Sequence, residues 1–145
     1  MTKKDTQHPL LVYVPGTWDL FHYGHVRLLR RAAKISRGGQ VIAGVNSDAW
    51  VKRTKGKTPI MREAERKQVL AACRYVSKAI CVAEPLEKSV LRRFSPDVIV
   101  IGSDWQGKFL KGSEKVKDKI VFVPYIKTIS TTKIIQRIKK EAIER

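Results

Sequence analysis

The sequence predicts an α/β fold in which a doubly wound, five-stranded parallel sheet forms a single domain, residues 1–145. Five short runs are rich in valine and isoleucine, which is the composition of strands buried on both faces. Segments with helical periodicity separate these runs, so strands alternate with helices along the chain. This alternation favours a parallel sheet with helices on both faces, a Rossmann-like arrangement.

Apolar runs and chain breakers set the bounds of the predicted elements. Pro15 and Gly16 end the first strand, and Gly38–Gly39 ends the first helix. The predicted strands are Leu10–Val14, Gln40–Val45, Lys78–Val82, Asp97–Ile101 and Ile120–Val123. The predicted helices are one from the turn at His22 to Ile35, a short helix or loop containing Trp50, Arg62–Tyr75, Leu86–Phe94, and one starting at Ser130–Thr132. In the last helix, the predicted core face comprises Ile134, Ile135, Ile138 and Ala142.

The chain is strongly basic, with 30 Lys and Arg against 13 Asp and Glu and a net charge of +17 at pH 7. Such a charge attracts phosphates, nucleic acid or an acidic surface. The basic residues are spread along the whole chain, and no aromatic residues are interleaved with them as a stacking platform for single strands. We expect a solvated basic surface with some charges around an anionic pocket, and only non-specific contact with nucleic acid.

The sequence predicts a cytoplasmic protein without a membrane span. No run reaches the roughly 18 apolar residues that a spanning helix needs, and the N-terminal MTKKDTQHP lacks the apolar region of a secretory signal. Cys73 and Cys81 are too few for a disulfide framework and lie in apolar patterns, so we expect buried thiols.

The first strand leads through a tight turn into a helix whose first residues include His22, Gly24 and His25. Free N–H groups and the positive end of the helix dipole make such a terminus suitable for an anion. Gly24 would let a phosphate approach the backbone. Three interpretations of the histidines stay open: phosphate binding, a zinc pair that needs further ligands, and two ordinary surface histidines.

The segment Gly16–Val26, GTWDLFHYGHV, resembles the GTFDxxHxGH signature of the cytidylyltransferase family, with Trp18 in place of Phe. In that family the two histidines contact the α-phosphate of the nucleotide and stabilise charge as pyrophosphate leaves. The resemblance therefore implies catalytic roles for His22 and His25. It also implies Mg²⁺ carried by the triphosphate, no metal ligand from the chain, and a homodimer. The other contacts implied in this segment are Asp19 with the acceptor, and Thr17, Trp18, Tyr23 and Gly24 with the nucleotide.

Lysines later in the chain also match family positions. Lys52–Pro59, KRTKGKTP, is predicted to be a basic loop at the edge of the sheet that carries the histidines. By resemblance, Lys55 and Lys57 hold the acceptor phosphate and the α-phosphate, and either lysine fits either role; we assign Lys57 to catalysis and Lys55 to the acceptor. Lys88 matches a family lysine near the acceptor phosphate. The alternative interpretation is that Lys88 is an exposed lysine on a helix.

Three polar positions have both a local and a family interpretation. Asp48 is either a helix N-cap or the family's acidic residue after the second strand. Arg66 and Arg74 match helix arginines of the family. The alternative interpretation is that both are charged residues on a helix surface. For both we expect a structural or dimer-interface role rather than catalysis.

The segment Gly102–Phe109 resembles the G-x-D-W-x-G-K-F sequence of the glycerol-3-phosphate cytidylyltransferase branch. This implies that Asp104 and Trp105 lie near the base or ribose. A carboxylate can accept a hydrogen bond from a sugar hydroxyl or an exocyclic amine, and an indole packs against a flat ring. The alternative for Trp105 is a lid over the core.

The last helix begins in a segment that resembles the family's closing motif, R-T-x-G-I-S-T-T, which holds the β- and γ-phosphates. Ile129, Ser130, Thr131 and Thr132 are thereby implied to bind the nucleotide. Tyr125 stands at the arginine position and Thr128 at the glycine position. Lys127 would replace the guanidinium as a point charge.

The function expected from these motifs is nucleotidyl transfer, with CTP as donor and glycerol 3-phosphate as acceptor, giving CDP-glycerol and pyrophosphate. The missing arginine keeps open an ATP-dependent adenylyltransferase acting on a sugar phosphate or a flavin, because the related ADP-forming sugar-phosphate branch lacks that arginine. A non-catalytic nucleotide- or nucleic-acid-binding relative is the third alternative.

Overall fold

The computed structural model describes residues 8–124 and 126–145. These residues form an all-parallel, five-stranded sheet in the order β3-β2-β1-β4-β5, which confirms the predicted Rossmann-like fold. The strands are β1 Leu11–Gly16, β2 Gln40–Asn46, β3 Lys78–Val82, β4 Val98–Gly102 and β5 Ile120–Val123. The helices are α1 Tyr23–Ile35, α2 Asp48–Lys55, α3 Glu63–Ala71, α4 Lys88–Phe94 and α5 Thr131–Glu144, and three short 3₁₀ turns lie at Ser103–Trp105, Ser113–Lys115 and Lys117–Lys119.

Strand β1 lies at the centre of the sheet and pairs with β2 on one side and β4 on the other. Its Val12 and Val14 pack with Leu29 of α1 and Leu70 of α3. Tyr13 points to the opposite face, in the cluster that contains Trp50 of α2 and Leu86. The strand order therefore changes direction between β1 and β4, and in open α/β sheets ligands bind outside the carboxyl ends of the strands at such a point.

A buried guanidinium connects the carboxyl ends of β1 and β2. Arg66 of α3 has no exposed surface. Its Nη1 donates to the Thr17 carbonyl at 2.7 Å and to the Asn46 carbonyl at 2.9 Å, and its Nε donates to the Met61 carbonyl at 2.9 Å. Its Nη2 forms an ion pair with Asp48 Oδ1 at 2.6 Å. Arg66 is therefore structural, as expected, and is not a surface charge.

The N-cap interpretation of Asp48 is wrong. Ser47 caps α2, its Oγ accepting a hydrogen bond from Trp50 N at 3.1 Å, and Asp48 instead pairs with Arg66. Arg74, the other helix arginine, is exposed beyond the end of α3.

Several predicted bounds differ from the structure by one or two residues, and two differ by more. The basic segment expected to be a loop is helical as far as Lys55, and α2 ends where Gly56 adopts φ 77°. The third helix ends at Ala71, four residues before Tyr75, and the chain then turns into β3. Glycine suits the left-handed conformation at the end of α2 because it lacks a Cβ.

The predicted core face of the last helix is wrong. No residue of α5 is buried; Ile134 and Ile135 are half-buried, and Ile138 is 58% exposed. The amphipathic pattern is present, but among the described residues nothing covers its apolar side along the whole helix. The expectation of two buried thiols is also wrong, because Cys73 is half-buried and Cys81 is exposed on the edge strand β3.

Replacing Arg66 should destabilise the protein strongly. We expect Arg66→Met to lower the free energy of unfolding by about 3–5 kcal/mol, because three carbonyls and the Asp48 carboxylate lose their donor. Urea denaturation measures the change, and Arg74→Met serves as the exposed control, expected to stay within about 0.5 kcal/mol of the wild type. Equal losses in the two variants would contradict the structural role of Arg66.

Candidate functional site

A cavity of about 1210 Å³ lies at the carboxyl ends of the strands. Its lining comes from the β1–α1 connection, the end of β2, the C-terminal part of α2 with the loop after it, the end of β4, and the start of α5. Most of the predicted site residues meet there. The predicted residues in the lining are Thr17, Trp18, Asp19, His22, Tyr23, Gly24, His25, Lys55, Lys57, Asp104, Trp105, Ile129, Ser130, Thr131 and Thr132.

The two histidines cap α1 and stack on one another. His22 is the N-cap residue, and its Nδ1 accepts a hydrogen bond from Gly24 N at 3.0 Å. The Nδ1 of His25 accepts from His22 N at 3.1 Å, and the ring centroids are 3.8 Å apart. Because each Nδ1 is an acceptor, each neutral ring carries its hydrogen on Nε2. The pair therefore offers two N–H donors, held by the helix terminus itself.

Burial keeps both histidines neutral. It lowers the pKa of His22 below its ordinary value. The pKa of His25 is lowered to about 3, mainly by burial and to a smaller extent by positive charge at the positions of His22 and Lys55. A bound anion would oppose these effects, since an opposite charge within a few ångströms favours the protonated ring.

Aromatic rings hold His25 in place. Trp18 is 2% exposed, its Nε1 donates to the Gly44 carbonyl at 3.0 Å, and its ring lies 5.4 Å from that of His25. Phe21 also stacks on His25, with the two ring centroids 5.5 Å apart. A Cβ at Gly16 would come within 2.7 Å of the Trp18 ring, which explains the glycine at this position of the motif.

The backbone of this segment is strained. Trp18 has φ 61° and Leu20 has φ 48°, although neither is glycine. Such conformations cost about 1–3 kcal/mol each and persist only where surrounding contacts enforce them. Gly24 serves a different purpose: a Cβ there would lie 2.8 Å from His22 Cε1 and 3.4 Å from Ile129 Cγ2, so the glycine admits the imidazole and the segment before α5.

Asp19 joins three segments of the site. Its carboxylate accepts hydrogen bonds from Ile60 N at 2.7 Å and Met61 N at 2.9 Å. Its carbonyl accepts from Thr131 Oγ1 at 2.7 Å. Asp19 thus anchors the loop after α2 and the start of α5 to the histidine turn, and its predicted acceptor contact remains a prediction.

Two of the four predicted lysines lie at the cavity. Burial of the ammonium lowers the pKa of Lys55; Lys57 and Arg66 add to this effect, and the carboxylates of Asp104 and Asp19 oppose it. Lys55 is nevertheless exposed along much of its surface, as is Lys57. Lys88 and Lys127 are exposed and do not line the cavity. The structure therefore does not bring these last two to the site.

A second helix N-terminus lies at the cavity beside that of α1. Ser130 is the N-cap of α5, and its Oγ accepts from Lys133 N at 3.1 Å. Thr131 and Thr132 form the first turn, whose N–H groups have no acceptor within the helix. Tyr125, at the arginine position of the family motif, lies outside the described residues.

Asp104 and Trp105 occupy the 3₁₀ turn that follows β4. Asp104 is exposed, while Trp105 is half-buried with its ring 6.0 Å from that of Trp50. A Cβ at Gly102 would lie 2.7 Å from Asp104 Oδ1, so the carboxylate folds over this glycine. Both side chains line the cavity on the β4 side of the histidines.

Sequence reasoning assigned no site role to several residues that line the cavity, among them the basic residues Arg27, Arg30, Arg31, Lys34 and Lys139. A further one is Asn46. It is the last residue of β2 and is 4% exposed. A polar residue at the carboxyl end of a buried strand was the available signal, because this end of the sheet is where ligands bind.

The zinc interpretation finds no support in the described part of the chain. Residues 8–124 and 126–145 contain no group of three His, Cys, Asp or Glu side chains arranged to hold a metal ion. Within the same residues, no helix is long and apolar enough to cross a membrane.

Comparison with known protein families decides the affiliation. The model of the cytidylyltransferase-like family matches residues 13–137. The chain belongs to this family. The match covers β2 to β5 completely, β1 from its third residue, and both helix N-termini at the cavity.

The bifunctional protein HldE of several bacteria is similar to this chain. The protein from Campylobacter fetus is 32% identical over 140 residues, which cover 96% of this chain and 30% of that protein. The protein from Campylobacter concisus is 37% identical over 130 residues, which cover 89% of this chain and 27% of that protein. The chain thus spans less than a third of the length of these relatives.

Solved structures share the fold. A lipopolysaccharide core biosynthesis protein from Thermoplasma volcanium has a TM-score of 0.65 and 24% identity, covering 83% of this chain and 98% of that one. The pantothenate synthetase of Thermus thermophilus has a TM-score of 0.57 and 16% identity, and the match covers 81% of this chain and 56% of that one.

The neutral state of His25 should make stability depend on pH. Between its ordinary pKa of 6.5 and about 3, the unfolded chain binds a proton that the folded chain does not, so stability is lost as the pH falls through this range. Urea denaturation measures the free energy of unfolding at pH 7 and at about pH 5. Between these pH values it should fall by roughly 2 kcal/mol less in His25→Gln than in the wild type. His8→Gln, at an exposed position, is the control and should follow the wild type. Identical pH dependence in His25→Gln would contradict the buried, neutral imidazole.

Proposed function

We propose that the protein transfers a nucleotidyl group from a nucleoside triphosphate to a sugar phosphate. The observation that carries the proposal is the stacked pair of His22 and His25, held at the N-terminus of α1 with both Nε2 hydrogens available in the cavity. An α-phosphate at this point would meet two imidazole donors and the positive end of a helix dipole.

In the proposed reaction an oxygen of the acceptor phosphate attacks the α-phosphorus in line, and pyrophosphate leaves from the opposite side. A phosphate monoester has its second pKa near 6, so the attacking oxygen is already ionised at neutral pH. No general base is required, which agrees with imidazoles whose Nδ1 atoms are occupied by backbone N–H groups. The residues act by positioning the two phosphates and by neutralising charge in the transition state.

Two further groups would neutralise the phosphates. The N-terminus of α5, with Ser130, Thr131 and Thr132, lies at the same cavity and suits the β- and γ-phosphates. Lys55 and Lys57 line the cavity and suit the acceptor phosphate and the α-phosphate, and burial lowers the pKa of Lys55.

Magnesium fits this arrangement as a partner of the triphosphate. Mg²⁺ usually keeps several waters and binds through substrate phosphates rather than in a cage of protein ligands. The carboxylate of Asp19 is engaged by two backbone N–H groups, and among the described residues the free carboxylate at the cavity is that of the exposed Asp104. When bound, the ion would supply charge neutralisation at the leaving pyrophosphate.

We propose ATP as the preferred donor. The family motif that clamps a triphosphate with arginine has Tyr125 at that position, and the ADP-forming sugar-phosphate branch of the superfamily lacks this arginine. Lys127, the nearest candidate for a replacement cation, does not line the cavity.

CTP with glycerol 3-phosphate is the second candidate. It is favoured by the segment Gly102–Phe109, which resembles the glycerol-3-phosphate cytidylyltransferase branch and brings Asp104 and Trp105 to the cavity.

Pyrophosphate release tests the proposal directly. The protein with Mg²⁺ is offered ATP or CTP, each with glycerol 3-phosphate and with a panel of sugar 1-phosphates. We expect release with ATP and a sugar phosphate, and a loss of at least about 100-fold in His25→Ala, because one donor to the transition state is removed.

The matched control is Lys67→Ala, an exposed residue of α3 that does not line the cavity, which should keep the wild-type rate. Circular dichroism checks that His25→Ala is folded. Release only with CTP and glycerol 3-phosphate would favour the second candidate. No release with any pair, or a normal rate in His25→Ala, would refute nucleotidyl transfer by this site.

We further propose that the protein is a homodimer, as the family resemblance implies. Light scattering should then give twice the chain mass of 16.5 kDa. A mass of one chain across the micromolar range would refute this.

A further inference from the structure

The cavity continues past the histidines as a groove between α1 and α5, the α1–α5 groove. Both helices begin at the cavity, and residues from their later turns also line it. The lining extends to Lys34 in the last turn of α1 and to Lys139 in α5. At about 1.5 Å of rise per residue, the α1 segment from His25 to Lys34 extends about 14 Å. The groove therefore reaches well beyond the two histidines.

The charged side chains that line the groove, among the described residues, are all positive. The acidic residues in the lining of the whole cavity are Asp19 and Asp104, which follow the ends of β1 and β4. Helix α1 itself contains no Asp or Glu. An anion that enters the groove therefore meets no carboxylate that repels it. The groove cations are Arg27, Arg30, Arg31 and Lys34 of α1 and Lys139 of α5.

The arrangement of these cations does not serve folding. In the described part of the chain, no groove cation forms an ion pair. Arg27 and Arg31 are four residues apart on α1, which places their like charges side by side. Arg30 and Lys34 repeat this arrangement, and like charges at this spacing destabilise a helix. An anion from outside the chain would relieve the repulsion.

The floor of the groove is apolar. Leu28, Ile129 and Ile135 line it and are half-buried. A cleft with charges of one sign and walls of low dielectric constant concentrates its potential and speeds the association of counterions. Aliphatic side chains offer no hydrogen bonds of their own. The groove thus selects ligands by charge, and it suits a small, multiply charged anion.

The geometry of an in-line displacement identifies that anion, and this step rests on the nucleotidyl transfer proposed above. There the acceptor phosphate lies at Lys55, at the end of α2, which packs on the face of the sheet opposite to α1. As the acceptor oxygen bonds to the α-phosphorus, the bond from this phosphorus to the bridging oxygen breaks. Pyrophosphate leaves with the electron pair on the side away from the acceptor. A Cβ on Gly24 of α1 would lie 3.4 Å from Ile129 Cγ2, so α5 and the groove begin on that side.

We propose that the α1–α5 groove binds the pyrophosphate that the reaction releases and forms its path out of the cavity. The N-terminus of α5 holds the β- and γ-phosphates during the transfer, and the groove cations bind them afterwards. Arg31 and Lys34 lie farther along α1 from the histidines than Arg27 does. They therefore bind the product and do not contact the reacting atoms.

Titration of the protein with pyrophosphate tests the groove without turnover. The variant Arg31→Gln/Lys34→Gln removes two groove charges and is compared with the wild type by isothermal titration calorimetry in the presence of Mg²⁺. Both are measured at one ionic strength, since salt screens exposed charges. We expect the dissociation constant for pyrophosphate to rise roughly tenfold, because two exposed cations that pair with the anion are lost. During turnover, the inhibition constant of added pyrophosphate should rise by the same factor, and the KM for the acceptor should stay unchanged.

A second double variant and a second ligand are the controls. Lys67→Gln/Arg92→Gln lowers the net charge equally at exposed positions that do not line the cavity. It should bind pyrophosphate as the wild type does. A nucleoside monophosphate, AMP or CMP, carries an α-phosphate but no β- or γ-phosphate, so its phosphate belongs at the histidines. All three proteins should bind it equally.

The outcomes separate this inference from the proposed function. Equal dissociation constants for pyrophosphate in the two double variants would overturn the groove as the product site and leave the transfer intact. An equal weakening of pyrophosphate and the monophosphate in Arg31→Gln/Lys34→Gln, or a wild-type protein that binds no pyrophosphate, would overturn it as well. Groove-dependent binding of pyrophosphate in a protein that turns over no donor and acceptor would instead refute the nucleotidyl transfer, and with it the product path.

Discussion

The buried guanidinium of Arg66 is the interaction on which the geometry of the site depends. It binds the carbonyl of Thr17, directly before the strained Trp18, and the carbonyl of Asn46 at the end of β2. A buried charge is tolerated only when it is paired and fully hydrogen-bonded, and here three carbonyls and the Asp48 carboxylate meet that requirement. The position of the histidine turn relative to β2 is therefore set by a residue that does not line the cavity.

The net charge of the whole protein and the neutral histidines of the cavity act on an anion in different ways. A net charge of +17 attracts phosphorylated molecules over a distance that becomes shorter as the ionic strength of the solution rises. At the centre of the cavity the two imidazoles are neutral, and the positive potential comes from two helix N-termini and from the basic side chains of the lining. These basic side chains are Arg27, Arg30, Arg31, Lys34, Lys55, Lys57 and Lys139. In the proposed transfer, donors that are already oriented need little reorganisation when charge develops on the α-phosphate, and preorganised donors of this kind stabilise transition states.

The parts of the molecule that sequence reasoning predicted well depend on local patterns. Lys78–Val82 and Ile120–Val123 have the predicted bounds, because apolar runs between turn residues leave little freedom. The histidine turn was found because the spacing of its residues matches a long motif. The failures concern what covers a surface: the periodicity of α5 is real, but it does not reveal whether another element packs against Ile138. Asn46 is a different case, because its place at the carboxyl end of a buried strand was a signal that the sequence offered.

Energetically unfavourable features are concentrated at one edge of the sheet. Trp18 and Leu20 have positive φ, Asn46 has an unpaired oxygen, and His25 is kept neutral by burial. None of these features improves folding, and each requires support from Arg66, Asp19 or the surrounding aromatic rings. Local rules are broken in this way mainly where a ligand compensates for the cost. The strain therefore supports a functional role for this edge independently of any sequence motif.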